Sequence, residues 1–210
     1  MILTKDDLKS CIDEEKKIYF EDGNYINLLI YNEIRLKTYR YVKCLRKLEY
    51  HRNQKGFFHK LMYVYYRRRK NRFGERLGIE MEEGCFDTGL TIYHPESIVV
   101  NGFSKIGKNC KLHGDNCIGN NGKNLDSPVL GNNIRVGVGA KIIGNVRLAD
   151  DITIAAGSVV VNSCEIVGAV LAGVPAKVVK IPGGGITLFK IIRSLLMFIS
   201  NYKKGGLVVC

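Results

Sequence analysis

The sequence predicts a mainly β protein, a parallel β-helix of hexapeptide repeats, with an α-helical N-terminal region before it and a short C-terminal helix after it. Three observations predict it. Aliphatic residues return every six positions at Leu130, Val136, Ile142, Leu148, Ile154, Val160 and Ile166, and four positions after each stand Ile134, Ala140, Val146, Ile152, Ser158, Cys164 and Val170. Val100, Ile106, Leu112 and Ile118 hold the same phase upstream. Composition also changes along the chain: of 19 aromatic residues only Phe103 lies between positions 100 and 185, a stretch holding 15 of the 23 glycines. A period of six fits neither a 3.6-residue helix nor two-residue strand alternation, but it fits short strands wound into three faces per coil, with the aliphatic residue inside and the small one at the corner.

Taken in order, residues 4–20 open on Thr4-x-x-Asp7, a capping-box start for a first helix. Ile34, Tyr41, Val42, Leu45 and Leu48 recur at helical spacing in a Lys/Arg-rich segment. Another basic helix follows Gly56, carries Phe57, Phe58, Leu61, Tyr65 and the Arg67-Arg68-Arg69-Lys70 run, and meets two plausible terminators at Gly74 and Gly78. Such helices must bury their aromatic stripe on the rest of the chain or on another subunit. The boundaries this implies are 1–77 for the helical region, 78–182 for the β-helix and 183–210 for a partly helical tail. Residues 120–128 read as a polar loop replacing one regular repeat unit.

The formal charge is +12, and residues 31–76 carry all of it, with fifteen Lys or Arg against three acids. That surplus brings an acidic partner into consideration, yet no nucleic-acid-binding motif accompanies it, so nucleic acid is not an expected partner. The seven cysteines form no CxxC pair and no secretory signal precedes them, which predicts a reduced, cytoplasmic chain. Residues 186–199 are apolar but too short to span a bilayer, and Lys190 and Arg193 interrupt them; with Lys203 and Lys204 nearby they would pack on their own oligomer or rest on the inner face of an anionic membrane.

Several motifs go further. Gly78-Ile79-Glu80, Gly89-Leu90-Thr91-Ile92-Tyr93-His94 with Ile98-Val99-Val100-Asn101, Val136-Gly137-Val138-Gly139-Ala140-Lys141-Ile142-Ile143-Gly144, and Ala172-Gly173-Val174-Pro175-Ala176-Lys177 resemble the hexapeptide-repeat, left-handed β-helix acetyltransferases, in particular the serine O-acetyltransferase group and its polysaccharide-cluster relatives. The resemblance covers residues 78–180. It implies a homotrimer that binds acetyl-CoA in the groove between neighbouring prisms and moves the acetyl group to a hydroxyl.

That transfer needs a base at the hydroxyl and a polar clamp for the oxyanion, and no metal. Of the four histidines, His51 and His59 lie in the basic helices and read as solvated surface groups, which leaves His94 and His113 beside the repeat. A γ-type carbonic anhydrase would need three zinc-binding histidines, so two exclude it. His94 can be phased inward, six before Val100, or onto a coil corner; the corner is preferred, since a buried lone imidazole would need a partner. The resemblance makes His94 the base and Glu80 the acid that orients it, with Glu82, Glu83 and Asp87 as competing partners. His113 points out of the prism and either lines the acceptor pocket or is a surface group.

Serine-specific members carry an Arg-His pair before a proline where Asp126 and Ser127 precede Pro128, and an aspartate where Tyr93 stands. Tyr93, Asp126 and Ser127 therefore mark an altered acceptor site, and the expected acceptor is a sugar or polysaccharide precursor, with L-serine as the alternative. Arg67, Arg68, Arg69 or Lys70 would attract the phosphates of a nucleotide sugar or lipid-linked glycan. Gly137, Gly139, Ala140, Ala155, Ala156, Gly157, Ala172 and Gly173 supply small walls for the long coenzyme A arm, and Lys177 a point charge for a phosphate. The same glycines also permit tight corners.

Overall fold

The computed structural model describes residues 2–20 and 25–182. The C-terminal helix expected at 186–199, with Lys190, Arg193, Lys203 and Lys204, lies outside the described residues.

Four helices come first: α1 (Lys5–Tyr19), α2 (Tyr25–Ile30), α3 (Ile34–Arg52) and α4 (Phe57–Leu77). The capping box forms as expected. The Thr4 hydroxyl accepts from the Asp7 N–H at 3.0 Å, and the Asp7 carboxylate accepts from the Thr4 N–H at 2.8 Å. Helix α4 does not stop at Gly74. That glycine is buried inside the helix, where a side chain would strike the Ile79 carbonyl, and the helix ends at Gly78 in the left-handed conformation (φ 64°) that favours glycine.

From Ile79 onward the chain winds around a three-sided prism. The first coil comprises β1 (Ile79–Met81), a bridge at Phe86, and β2 (Thr91–Ile92); the second β3 (Ile98–Val100), β4 (Lys105–Ile106) and β5 (Lys111–Leu112); the third β6 (Cys117–Gly119), β7 (Val129–Leu130) and β8 (Arg135–Val136). The fourth has β9 (Lys141–Ile143), β10 (Arg147–Leu148) and β11 (Thr153–Ile154), and the fifth β12 (Val159–Val160), a bridge at Cys164, and β13 (Val170–Gly173). Strand β14 (Ala176–Lys180) folds back antiparallel on β13. The faces are the parallel sheets β1-β3-β6-β9-β12, β4-β7-β10 and β2-β5-β8-β11-β13, the last extended by β14. This is a left-handed parallel β-helix.

Ile106, Leu112, Leu130, Val136, Ile142, Leu148, Ile154 and Val160 all point inward, and each contributes about 1.5–3 kcal/mol by burial. The repeat begins a full coil earlier than the six-residue phase indicates, because 19 and 20 residues, rather than 18, separate Ile79 from Ile98 and Ile92 from Leu112. At the far end the phase fails. Ile166, expected inside, is exposed, because the last coil is shortened and Cys164 and Leu171 take the interior places beneath Leu148 and Ile154. The 120–128 loop bulges out between β6 and β7 without disturbing the register on either side.

The helices pack on this prism through one continuous core in which Tyr19, Tyr41, Val42 and Leu45 meet Ile79, Met81, Ile92 and Ile98. Arg46 is fully buried there. Its guanidinium donates to Glu15, Glu49 and the carbonyls of Phe86 and Asp87, so every N–H it owns is engaged. The Tyr19 hydroxyl accepts from the Ile92 N–H at 2.9 Å, and Lys70 donates to the Met81 carbonyl at 2.8 Å. The six described cysteines are free thiols. Among the described residues, no helix is long and apolar enough to cross a membrane.

Candidate active site

One of the three prism corners carries the candidate chemistry. It joins the β2-β5-β8-β11-β13 face to the face that starts with β1. In regular coils six residues separate the interior positions across this corner, as in Leu112 to Ile118 or Val136 to Ile142. Between Ile92 and Val100 there are eight. The two extra residues are absorbed by left-handed conformations at Glu96 (φ 95°) and Ser97 (φ 51°), and the bulge puts His94 on the outside. His94 thus occupies the corner and not the interior. Gly114 (φ 105°) lets it sit there, since a Cβ at 114 would come within 2.8 Å of the His94 carbonyl.

Directly below, Tyr93 and His113 stack face to face, centroids 4.6 Å apart and planes 13° from parallel, because β2 and β5 pair Ile92 with Leu112. His94 and His113 border the same open cleft of about 530 Å³ with Glu96, Asp115, Gly137 and Val138. Burial, the neighbouring His94 and the cations Lys111 and Arg135 all hold the His113 imidazole below its ordinary range, so it favours the neutral form.

The acids anticipated for His94 lie elsewhere. Glu80 sits on the outer side of β1, paired in register with Val99, and makes no hydrogen bond to His94. Glu83 is buried and accepts from the Tyr63 hydroxyl of α4 at 2.9 Å; the Asp87 carboxylate accepts from the Thr88 N–H, and it is the Asp87 carbonyl that meets the helices, through Arg46. Glu82 lies against Gly102, at another corner. The carboxylates in the His94 cleft are Glu96 and Asp115. They stand one above the other, the Asp115 N–H donating to the Glu96 carbonyl at 3.0 Å, and Asp115 pairs with Lys141 at 2.8 Å. Both follow His94 in the chain rather than precede it, and the coil repeat that sets Gly114-Asp115 beneath Pro95-Glu96 is the sequence signal for them.

The acceptor-loop residues are not in this cleft. Asp126 is exposed and accepts from Asn124, while Ser127 is buried with its hydroxyl within donating distance of two acceptors, the Asn101 side-chain oxygen and the Leu125 carbonyl. Both lie on the 120–128 loop, at the next corner of the prism.

Below the histidines the same corner continues coil by coil through Gly137, Gly139, Ala155, Ala156, Gly157, Ala172 and Gly173. Counted from the His94 corner down to Gly173, five strands of the adjoining face stack, four steps of about 4.8 Å or roughly 19 Å, and the small residues occupy the lower coils of that run. Lys177 stands at its foot, paired with Ala172 and exposed. Two of the residues serve the stack itself. Ala140 is fully buried and offers no wall, and Gly137 is held to glycine by the Ala156 N, 2.6 Å from where its Cβ would be. Among the described residues the N–H groups of Val138 and Ala156, both exposed on this column, have no acceptor within the chain.

Stacked three-sided coils of hexapeptide repeats are the left-handed β-helix fold, and the chain has that fold. Across its β-helix it is a homologue of serine acetyltransferases. It is 33% identical over 98 residues to the serine acetyltransferase of Synechococcus elongatus, covering 43% of this chain and 40% of that one, and 32% identical over 105 residues to that of Helicobacter pylori, covering 49% and 61%. The chain thus spans about half the length of the curated relatives it matches. Among solved structures, a Neisseria gonorrhoeae serine acetyltransferase in complex with serine superimposes with a TM-score of 0.66 at 23% identity, over 84% of this chain and 70% of that one. No protein-family model matches the chain.

Proposed function

We propose that the chain is an acetyl-CoA-dependent O-acetyltransferase with His94 as general base. The observation that carries this reading is the bulged corner that turns His94 outward at the head of the small-residue column. In the proposed reaction the acceptor hydroxyl oxygen attacks the thioester carbonyl while the imidazole takes the hydroxyl proton. The tetrahedral intermediate then collapses, the C–S bond breaks, and the sulfur leaves with a proton returned from the imidazole. The pantetheine arm would lie along the column, its amide carbonyls accepting from the free N–H groups of Val138 and Ala156, with a phosphate near Lys177. Glu96 and Asp115 replace Glu80 as the acids best situated to influence His94.

For the acceptor, the relatives favour L-serine: those compared above are serine acetyltransferases, and none supports the carbohydrate expected from the loop residues. A sugar hydroxyl remains a second reading because the flat Tyr93–His113 stack beside His94 offers an aromatic platform and Asp126-Ser127 provides no guanidinium for a carboxylate. The cleft is open on one side, which supports a homotrimer in which a neighbouring prism closes it. In this reading residues 78–182 form the catalytic unit and 1–77 the helical region docked on it.

The test is thiol release from acetyl-CoA with L-serine or with a panel of nucleotide sugars, products identified by mass. O-acetylserine formation that falls at least about 100-fold in His94→Ala, with acetyl-CoA binding retained, is the expected result. Unchanged turnover in that variant would remove His94 as the base.

A further inference from the structure

The outer face of α4 plays no part in the site described above. Phe57, Leu61, Val64, Tyr65, Arg68, Arg72 and Arg76 recur at helical spacing along one stripe of this 21-residue helix and are all exposed, Phe57 by 84%, Leu61 by 58% and Val64 by 52%. Its N-terminal half is apolar and its C-terminal half cationic. A groove of about 590 Å³ runs along it. A second cavity joins Arg76 to Lys37 and Arg40 on α3, extending the cationic end. Arg67 and Arg69 donate to tyrosine hydroxyls and Lys70 is buried on a carbonyl, whereas Arg68, Arg72 and Arg76 have neither a carboxylate nor a hydrogen-bond acceptor among the described residues.

We propose that this face of α4 docks the protein on an anionic lipid bilayer, with Arg68, Arg72 and Arg76 on headgroup phosphates and Phe57, Leu61 and Val64 at the acyl boundary. Charge complementarity selects the occupant. Nucleic acid would satisfy the guanidiniums but gives nothing to Leu61 and Val64, which have neither charge nor a ring to stack. In an antiparallel pairing with a second copy, the arginines would lie against Phe57, Leu61 and Val64 with only Glu75 on α4 to neutralise them, and buried guanidiniums without carboxylates are costly. A bilayer interface takes both halves at once, phosphates for the cations and a boundary for the apolar side chains.

The experiment is co-sedimentation of the full chain with vesicles of phosphatidylglycerol and phosphatidylcholine, beside vesicles of phosphatidylcholine alone. Binding to the anionic vesicles only, weakened by salt, is expected. Arg68→Gln/Arg72→Gln/Arg76→Gln should lower it on the order of a hundredfold, at about fivefold per arginine. Phe57→Ser/Leu61→Ser should lower it at least tenfold with the charge intact. All five residues are exposed, and unchanged circular dichroism and melting temperature establish that the variants fold. Vesicle binding that survives in both variants would place the lipid contact elsewhere and overturn the proposal. So would absence of vesicle binding together with retention of single-stranded DNA, or with a dimer that the arginine variant dissociates.

Discussion

Between Lys5 and Leu77 the chain is fixed by a few individually placed polar side chains, whereas between Ile79 and Leu171 it is fixed by a rule that successive coils share. In the helical region Arg46, Tyr19, Tyr63 and Lys70 each make a contact that no neighbour duplicates. In the prism one aliphatic residue on one face stands over its equivalent in the next coil, as Leu112 over Val136 over Ile154. At the corners the same economy appears in polar form. Asn109, Asn133 and Asp151 take left-handed conformations in successive coils, and each amide donates to the next side chain, at 3.1 and 2.8 Å. The function proposed for the protein sits where the rule is broken, at the two-residue bulge that turns out His94. Regularity supplies a rigid support, and a local departure from it presents the side chain.

The largest effect should come from breaking the interior rule. Ile142→Asp places an unpaired charge between coils and should eliminate soluble folded protein, while Val161→Asp, on an exposed position one coil further along, should leave the melting temperature within a degree or two of the parent. Similar behaviour of the two variants would contradict the register. Next comes the helical region. Arg46→Ala leaves Glu15 and Glu49 buried without their cation and should cost about 3–5 kcal/mol in denaturant unfolding. Burial already lifts the Glu15 carboxyl above its usual range against the pull of Arg46. Adding Glu15→Gln to Arg46→Ala should therefore recover part of the loss. No recovery would mean that Arg46 acts through its bonds to the Phe86 and Asp87 carbonyls and not through charge.

The same contrast explains what could be read from the sequence. A repeat announces itself, so the interior positions from Val100 to Val160 were legible from spacing alone. Its ends were not. Ile166 fits the phase perfectly on paper and fails because the last coil is shortened at Cys164, a change of coil length that single residues do not signal. Helices α1, α3 and α4 were legible from capping and hydrophobic spacing; the short α2 was not, and neither was the buried Arg46, since one arginine among fifteen basic residues looks like its neighbours until its carboxylates are seen. Of the candidate site residues, the fold brings His94, Tyr93 and His113 to one corner. Glu80 and Ser127 were assigned by motif position, and motif position does not state which corner a residue occupies. A smaller test of the helical region follows from the one local signal that was complete: Thr4→Ala should cost about 1 kcal/mol and raise amide exchange in the first turn of α1 without altering the prism.

The smallest predicted effect contrasts two histidine pairs, one in each region. His51 and His59 were expected to be solvated, but both are half-buried, with their Nδ1 atoms 3.0 Å apart and Tyr66 stacked on His51. Burial, His59 and Lys47 lower the affinity of His51 for a proton, much as burial, His94 and two basic side chains do for His113. In both cases the unfolded chain binds the proton more readily than the folded one. Stability contributed by each imidazole is therefore complete above the ordinary histidine value near 6.5, and declines as pH falls from there to the lower folded value. Below that it changes no further. Both groups are only partly buried and solvent screens them, so the decline should be modest, and His51→Gln should remove one share of it and His113→Gln the other. The two variants should part company in the activity profile. His51→Gln should leave acetyl transfer unchanged, because the α3–α4 pair lies outside the cleft, whereas His113→Gln removes the ring stacked on Tyr93 beside His94 and should lower it. Activity that falls with His51 instead would tie the helical histidines to the chemistry and erase the division between the two regions.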